Sequence, residues 1–226
     1  MEFDPNAAFE AVGPLLAAFL QVTLLVTVLG SIIAAALGLV WAIGRRELPR
    51  IPGAILAWIL DVVRMTPLPL QLLFGMAVVT ELDGFRRFGD IEPTTLLTYL
   101  GIVVFGIHYS TYMAESYRAG IESIRQGQWE AATALSLPRR RTWRAVIIPQ
   151  ALRATLPSLG NWAIAMFKDT PFLIVITVPE MVSEAERIGG ASFKYTETFA
   201  VAGLIFLAAS YPTAVLMRKL EKKLAY

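Results

Sequence analysis

The 226 residues include no cysteine and a single histidine, His108. Without cysteine there is no disulfide framework, no thiolate nucleophile and no zinc–thiolate site. One histidine cannot build a histidine-based triad beside a metal cluster, so no metal centre is expected. Charge is scarce as well: Asp, Glu, Lys and Arg make up 17% of the chain, below the roughly 25% of a soluble domain. The net charge of +2 is too small for a nucleic-acid footprint. What is abundant is apolar surface, 56% of residues, with a mean hydropathy of +0.58. These values exclude a disordered chain and argue against a single soluble α/β domain.

The uncharged runs set the class. Residues 11–44, 93–114 and 198–217 contain no Asp, Glu, Lys or Arg, and each is as long as the ~20 residues that a bilayer-crossing helix needs. Two more apolar stretches are interrupted, residues 53–80 by Asp61 and Arg64 and residues 154–179 by Lys168 and Asp169. The expected architecture is all-α: one polytopic transmembrane domain over residues 1–226, with spans near 15–43, 55–79, 95–117, 155–179 and 198–218. Met1 is followed by Glu2 and Asp4 where a signal peptide would carry basic residues, so the first run is expected to stay in the membrane.

The loops alternate in sign. The N-terminus, residues 81–92 and residues 180–197 sum to −3, −2 and −2; residues 45–50, residues 115–153 and the tail from Arg218 sum to +2, +4 and +3. Lys and Arg collect on the cytoplasmic side of spans. The N-terminus is therefore expected outside and the C-terminus in the cytoplasm, and five spans require opposite sides. On the first span Gly30, Ala34, Gly38 and Ala42 recur every four residues, a small-residue seam that permits close approach of another helix.

Charges within spans are costly, roughly 2.5–3.5 kcal/mol each at the centre. Asp61 and Arg64, three apart, share a helix face and can pair, and Gln71 falls close to Arg64 in helical rotation. Pro67 and Pro69 should bend or open that helix. Lys168 and Asp169 point apart as neighbours, and Pro171 follows them. The functional reading is a polar pathway where the second and fourth spans meet; the bland one is pairing that holds the bundle together, favoured for Asp61 with Arg64. His108 is read as a packed or hydrogen-bonded histidine, since its run holds no carboxylate.

Residues 118–153 are too polar to cross a membrane. A short helix from Gln128 to Leu137, closed by Pro138, puts Trp129, Ala132 and Ser136 on one side. Its small Ala131 and Ala132 suit insertion into a partner's groove. A basic helix follows, Arg139 to Ile147, ending at Pro149; its arginines suit anionic membrane lipid or an acidic partner.

Within this loop Glu130-Ala131-Ala132, Ser136 and Val146-Ile147-Ile148-Pro149 resemble, at matching spacing, the EAA signature of bacterial ABC importer permeases. Ser136 stands for that pattern's glycine, Val146 for its isoleucine and Ile148 for its leucine. Arg64-Met65-Thr66-Pro67-Leu68, Glu115-Ser116-Tyr117-Arg118-Ala119-Gly120-Ile121, Lys168-Asp169-Thr170 and Pro179-Glu180 resemble segments of the polar amino acid permeases within that group, including the histidine, glutamine and arginine types. Met65 and Pro171-Phe172 depart from them, which points towards a less usual zwitterion such as ectoine.

The resemblance implies a type I ABC importer permease fold in a bacterial inner membrane. It also implies a second permease subunit, identical or paralogous, a pair of cytoplasmic ATPases that hold ATP and Mg, and an extracytoplasmic solute-binding protein. The chain has no G-x-x-x-x-G-K-[ST] phosphate loop, so no cofactor and no catalytic residue are expected here. Glu130, Ala131, Ala132, Ser136 and Pro149 would couple to the ATPase, with residues 118–153 as a cytoplasmic coupling loop. Arg64, Thr66, Gln71, Lys168, Asp169 and Thr170 would line the solute's route. The alternative is an ion- or proton-coupled secondary transporter using Lys168, Asp169 and His108 without an ATPase. A membrane enzyme or assembly scaffold has no clustered nucleophile or acid/base pair to support it.

Overall fold

The computed structural model describes residues 3–224; Met1 and Glu2, where the acidic N-terminal count begins, and Ala225 and Tyr226 lie outside the described residues. Those residues contain helices and no strand. α1 runs Pro5–Glu47, α2 Arg50–Met65, α3 Leu68–Glu81, α4 Pro93–Glu122, α5 Gln126–Ala134, α6 Arg139–Ile176, α7 Met181–Ser192 and α8 Tyr195–Leu224. A one-turn helix, Gly84–Arg87, sits between α3 and α4. Four helices are long and apolar enough to cross a membrane, and the α2–α3 pair makes a fifth span if counted together.

The small-residue seam organises the centre. Gly30, Ala34, Gly38 and Ala42 are all buried, and the α1 face they form lies against α4. A Cβ on Gly38 would fall 2.9 Å from Met113 Cβ and 3.0 Å from the Ala114 nitrogen, so the backbones meet where only hydrogen fits. Phe105, Tyr109, Met113 and Tyr117 follow one another along the facing side of α4 and enter the main core with Met166, Leu173 and Ile176 of α6. A second cluster joins Ala11 and Leu15 of α1 to Met181 and Ala185 of α7 and Val201 and Ala202 of α8. It occupies the acidic end of the bundle, opposite the arginine-rich end.

Proline shapes two helices without ending them. α6 was expected to stop at Pro149, but it continues from Arg139 through Ile176. The missing N–H and the bulk of Pro149 are absorbed by a widened π turn over Thr142–Ile147, so the basic helix and the fourth span are one rod. α1 carries Pro14 and a similar π turn at Phe19–Thr23. Near the other end of α6, Pro171 falls within a tighter 3₁₀ stretch, Thr170–Ile176.

The second span departs most from a continuous 55–79 helix. α2 and α3 meet at 102°, because Pro67 and Pro69 remove two backbone donors and Thr66 is extended. Glu115 of α4 pairs with Arg45 at the end of α1, and Arg64 at the end of α2 lies 3.9 Å from it. Arg45 and Arg64 are thus at one level, and α2 lies across the bundle. α3 instead climbs along α4: Gln71 reaches His108, and a Cβ on Gly75 would lie 3.0 Å from Leu100. The crossing half is therefore Leu68–Glu81, about 21 Å long at 1.5 Å per residue.

Candidate functional site

α5 projects from the arginine-rich end. Its end is a Schellman motif: the Leu137 N–H donates to the Ala132 carbonyl at 3.0 Å and the Ser136 N–H to that of Thr133 at 2.9 Å. The motif needs a left-handed residue, and Ser136 supplies it at φ 50°. The helix thus ends at Ala134, while Pro138 precedes the first turn of α6. Ala132 and Trp129 turn towards the chain's own bundle, Ala132 being 3% exposed. Glu130, Ala131 and Ser136 face outward. The two alanines therefore serve opposite sides, Ala131 leaving the outer face low and Ala132 letting α5 sit tightly on the bundle. Pro149, exposed on α6, acts through the π turn.

A second feature is an open groove of about 620 Å³ walled by Arg64, Tyr112, Glu115, Ser116, Ser158 and Trp162. The Tyr112 and Trp162 rings lie 4.7 Å apart, and the Trp162 Nε1–H donates to Ser116 Oγ at 3.0 Å. Ser116 and Ser158 hydroxyls are 2.7 Å apart. At one rim, Arg64 holds Asp61 at 2.5 Å, and Arg118 bridges Glu115 at 2.7 Å and Glu122 at 2.8 Å. With Arg45 on Glu115, the network contains three cations and three anions. Its loosest link is the 3.9 Å gap between Arg64 and Glu115. Opposite charges left slightly apart beside two aromatic faces make a receptive place for a small zwitterion, since carboxylates bind guanidinium and ammonium groups favour aromatic faces.

The sequence-derived pathway residues scatter around this groove. Arg64 lines it. Thr66 and Gln71 serve the break instead: Gln71 Nε2 donates to the Val63 carbonyl at 2.7 Å and to Thr66 Oγ1 at 2.6 Å. That satisfies a carbonyl freed where α2 ends. With its amide nitrogen so engaged, Gln71 Oε1 accepts from His108 Nδ1 at 3.2 Å, which fixes the proton on Nδ1. The expected Arg64–Gln71 stripe is therefore interrupted, because a 102° break separates the two residues and helical rotation does not carry across it. Asp169, half-buried, accepts from the Tyr109 hydroxyl at 2.6 Å, and Tyr109 leads to Tyr112 at 5.9 Å between centroids. Lys168 is exposed and makes no ion pair among the described residues. Thr170 is buried, its hydroxyl donating to the Phe167 carbonyl at 2.9 Å.

Tyr112, Ser116, Ser158 and Trp162 were not singled out from the sequence. A signal was present: Tyr109, Tyr112 and Ser116 follow at three and four residues in one span, and Ser158 and Trp162 at four in another. Polar and aromatic groups on one face of each of two spans point to a shared wall.

Residues 34–226 match the family described as the inner membrane component of binding-protein-dependent transport systems. A probable amino-acid ABC transporter permease protein of Sinorhizobium fredii is 36% identical over 93% of this chain and 87% of its own. The glutamine transport system permease protein of Escherichia coli is 32% identical over 99% of both chains. Among solved structures, the crystal structure of an amino acid ABC transporter with histidines superposes at a TM-score of 0.80 and 27% identity, covering 99% of this chain and 100% of that one. The chain belongs to the binding-protein-dependent transport system inner membrane component family, among relatives that are amino-acid ABC transporter permeases.

Proposed function

We propose that this chain is the permease subunit of an ATP-driven bacterial importer for a polar amino acid or a similar zwitterion, ectoine included. It crosses the inner membrane with the N-terminus outside and the arginine-rich end in the cytoplasm. It works with a second permease, an extracytoplasmic binding protein and two ATPases that hold the ATP and Mg. The observation that carries this reading is the outward face of α5, Glu130 and Ala131, standing free of the bundle beside a packed inner face, Trp129 and Ala132. A partner's groove can receive the free face while the packed one transmits its motion.

The solute's route runs past the Arg64–Glu115 gap. There the carboxylate of the solute replaces Glu115 at Arg64 while its ammonium moves to Glu115 and the Tyr112–Trp162 faces. Asp169, set by Tyr109, adds negative charge deeper in the bundle, and Lys168 offers a cation on an exposed face. ATPase closure shifts α5, and α6 and α4 tilt with it between inward and outward openings, as differential affinity for two states requires.

Reconstitution with the ATPases, the second permease and the binding protein tests the proposal. Uptake of radiolabelled glutamine, arginine, histidine or ectoine should require ATP inside the motor's compartment. Uptake driven by an ion gradient through this chain without ATPases would establish the secondary transporter instead.

A further inference from the structure

The end of α1 touches both α5 and the start of α6, through two neighbouring residues. The Arg46 guanidinium lies 4.4 Å over the Trp129 ring, and Trp129 meets Trp143 edge-on at 5.4 Å and 84°. Trp143 is buried, and among the described residues its Nε1 has no hydrogen-bond partner, so its contribution there is packing. Next to Arg46, Glu47 Oε2 takes the Arg139 Nε at 2.5 Å.

This second contact answers an electrostatic conflict. Arg139, Arg140 and Arg141 occupy the first turn of α6, where the helix dipole disfavours cations, and no side chain caps that turn. Glu47, brought from another helix, supplies the missing negative charge. From Arg46 and Glu47 the path inward is stiff, because at Gly38 the α1 backbone sits directly on α4, where a Cβ would fall 3.0 Å from the Ala114 nitrogen and 3.1 Å from the Ser110 carbonyl.

We propose that Arg46, on Trp129 of α5, and Glu47, on Arg139 of α6, form a latch through which movement of α5 and of the first turn of α6 is delivered to α1, making the first helix a driven element together with α6. Resting on the importer reading above, this assigns Arg46, Glu47, Trp129 and Arg139 as positioning residues for coupling. Each bond is modest, and exposed pairs hold weakly, so the latch sets transmission more than fold.

The test measures solute imported per ATP hydrolysed in the reconstituted complex, with ATPase association and basal hydrolysis recorded alongside. Glu47→Arg and Arg139→Glu should each lower that ratio by about two- to thirtyfold, the range of mutations that act on coupling between sites. Association and basal hydrolysis should stay unchanged, and the double exchange should restore the ratio. Glu47→Gln, which keeps size, and Trp129→Phe, which keeps an aromatic ring but less of it, should move the ratio the same way and serve if a charge reversal fails to insert. Wild-type ratios in the single variants, or a double exchange no better than either, would overturn the latch. Should the wild-type chain capture no ATPase, the importer reading itself fails and takes the latch with it, a result visible before any substitution is made.

Discussion

The Tyr109 hydroxyl donates to Asp169 Oδ2 at 2.6 Å, joining the middle of α4 to the last helical turn of α6 before the 3₁₀ stretch. Tyr109 is only 3% exposed, while half-buried Asp169 keeps part of its surface open to water. Tyr109→Phe should lower stability in detergent by about 0.5–1.5 kcal/mol, the net contribution of one hydrogen bond whose acceptor water can still reach. Asp169→Asn, which can still accept, should leave thermal unfolding nearly unchanged and reduce uptake. Unaltered rate and affinity in Asp169→Asn would return this carboxylate to a purely packing role.

Ser136 holds a left-handed backbone that costs a side-chain-bearing residue about 1–2 kcal/mol. Ser136→Gly should relax it and raise the melting temperature, while Ser136→Val should lower it, since a β-branched side chain fits that region worst. Equal melting points across the three would show that the turn carries no strain.

Not all glycines in the spans are equal. Gly38→Ala would press a methyl to within 2.9 Å of Met113 Cβ and 3.1 Å of the Ser110 carbonyl, costing about 1–3 kcal/mol by overpacking. Nothing lies within 4 Å of a Cβ on Gly203. Gly203→Ala should then gain up to about 1 kcal/mol from helix propensity. Paired unfolding curves of the two variants check the contrast.

Glu180, between α6 and α7, is fully buried; its Oε1 accepts from the Ser183 N–H at 2.7 Å, and its Oε2 has no partner among the described residues. Burial raises its carboxyl above the ordinary carboxylate range, against the pull of the Val182 and Ser183 N–H groups. A raised acid binds its proton more tightly when folded. Its unfavourable contribution therefore develops as pH rises from the ordinary carboxylate range through the folded value. Lowering pH through that window should stabilise the wild type, and Glu180→Gln should flatten the dependence. A parallel pH profile in the variant would show that another group sets it.

Much of this was legible in one dimension. Uncharged runs gave the helices, four-residue spacing gave the α1 seam, and three-residue spacing gave the Asp61–Arg64 pair, because each rule concerns neighbours on one continuous helix. Where the backbone leaves that helix, the arithmetic fails. Helical rotation places Gln71 on the Arg64 stripe only if the helix continues through Pro67, which it does not, and Pro149 signals a stop that a π turn absorbs. Tyr112 with Trp162 and Arg46 with Trp129 depend on which faces of separate helices meet, and spacing within one segment cannot encode that. Ser136 is instructive: it replaces a glycine in the resembled signature, yet the chain keeps the glycine's left-handed turn and bears the strain.

The cysteine-free chain makes the central claim directly accessible, because Glu130→Cys creates a unique thiol on the free face of α5. The measurement is cross-linking from that thiol in native membranes, with ATP-dependent uptake measured before and after. The account requires a cross-link to an ATP-hydrolysing subunit and loss of uptake as it forms. Full ATP-dependent uptake with residue 130 permanently blocked, and no such subunit captured, would contradict it.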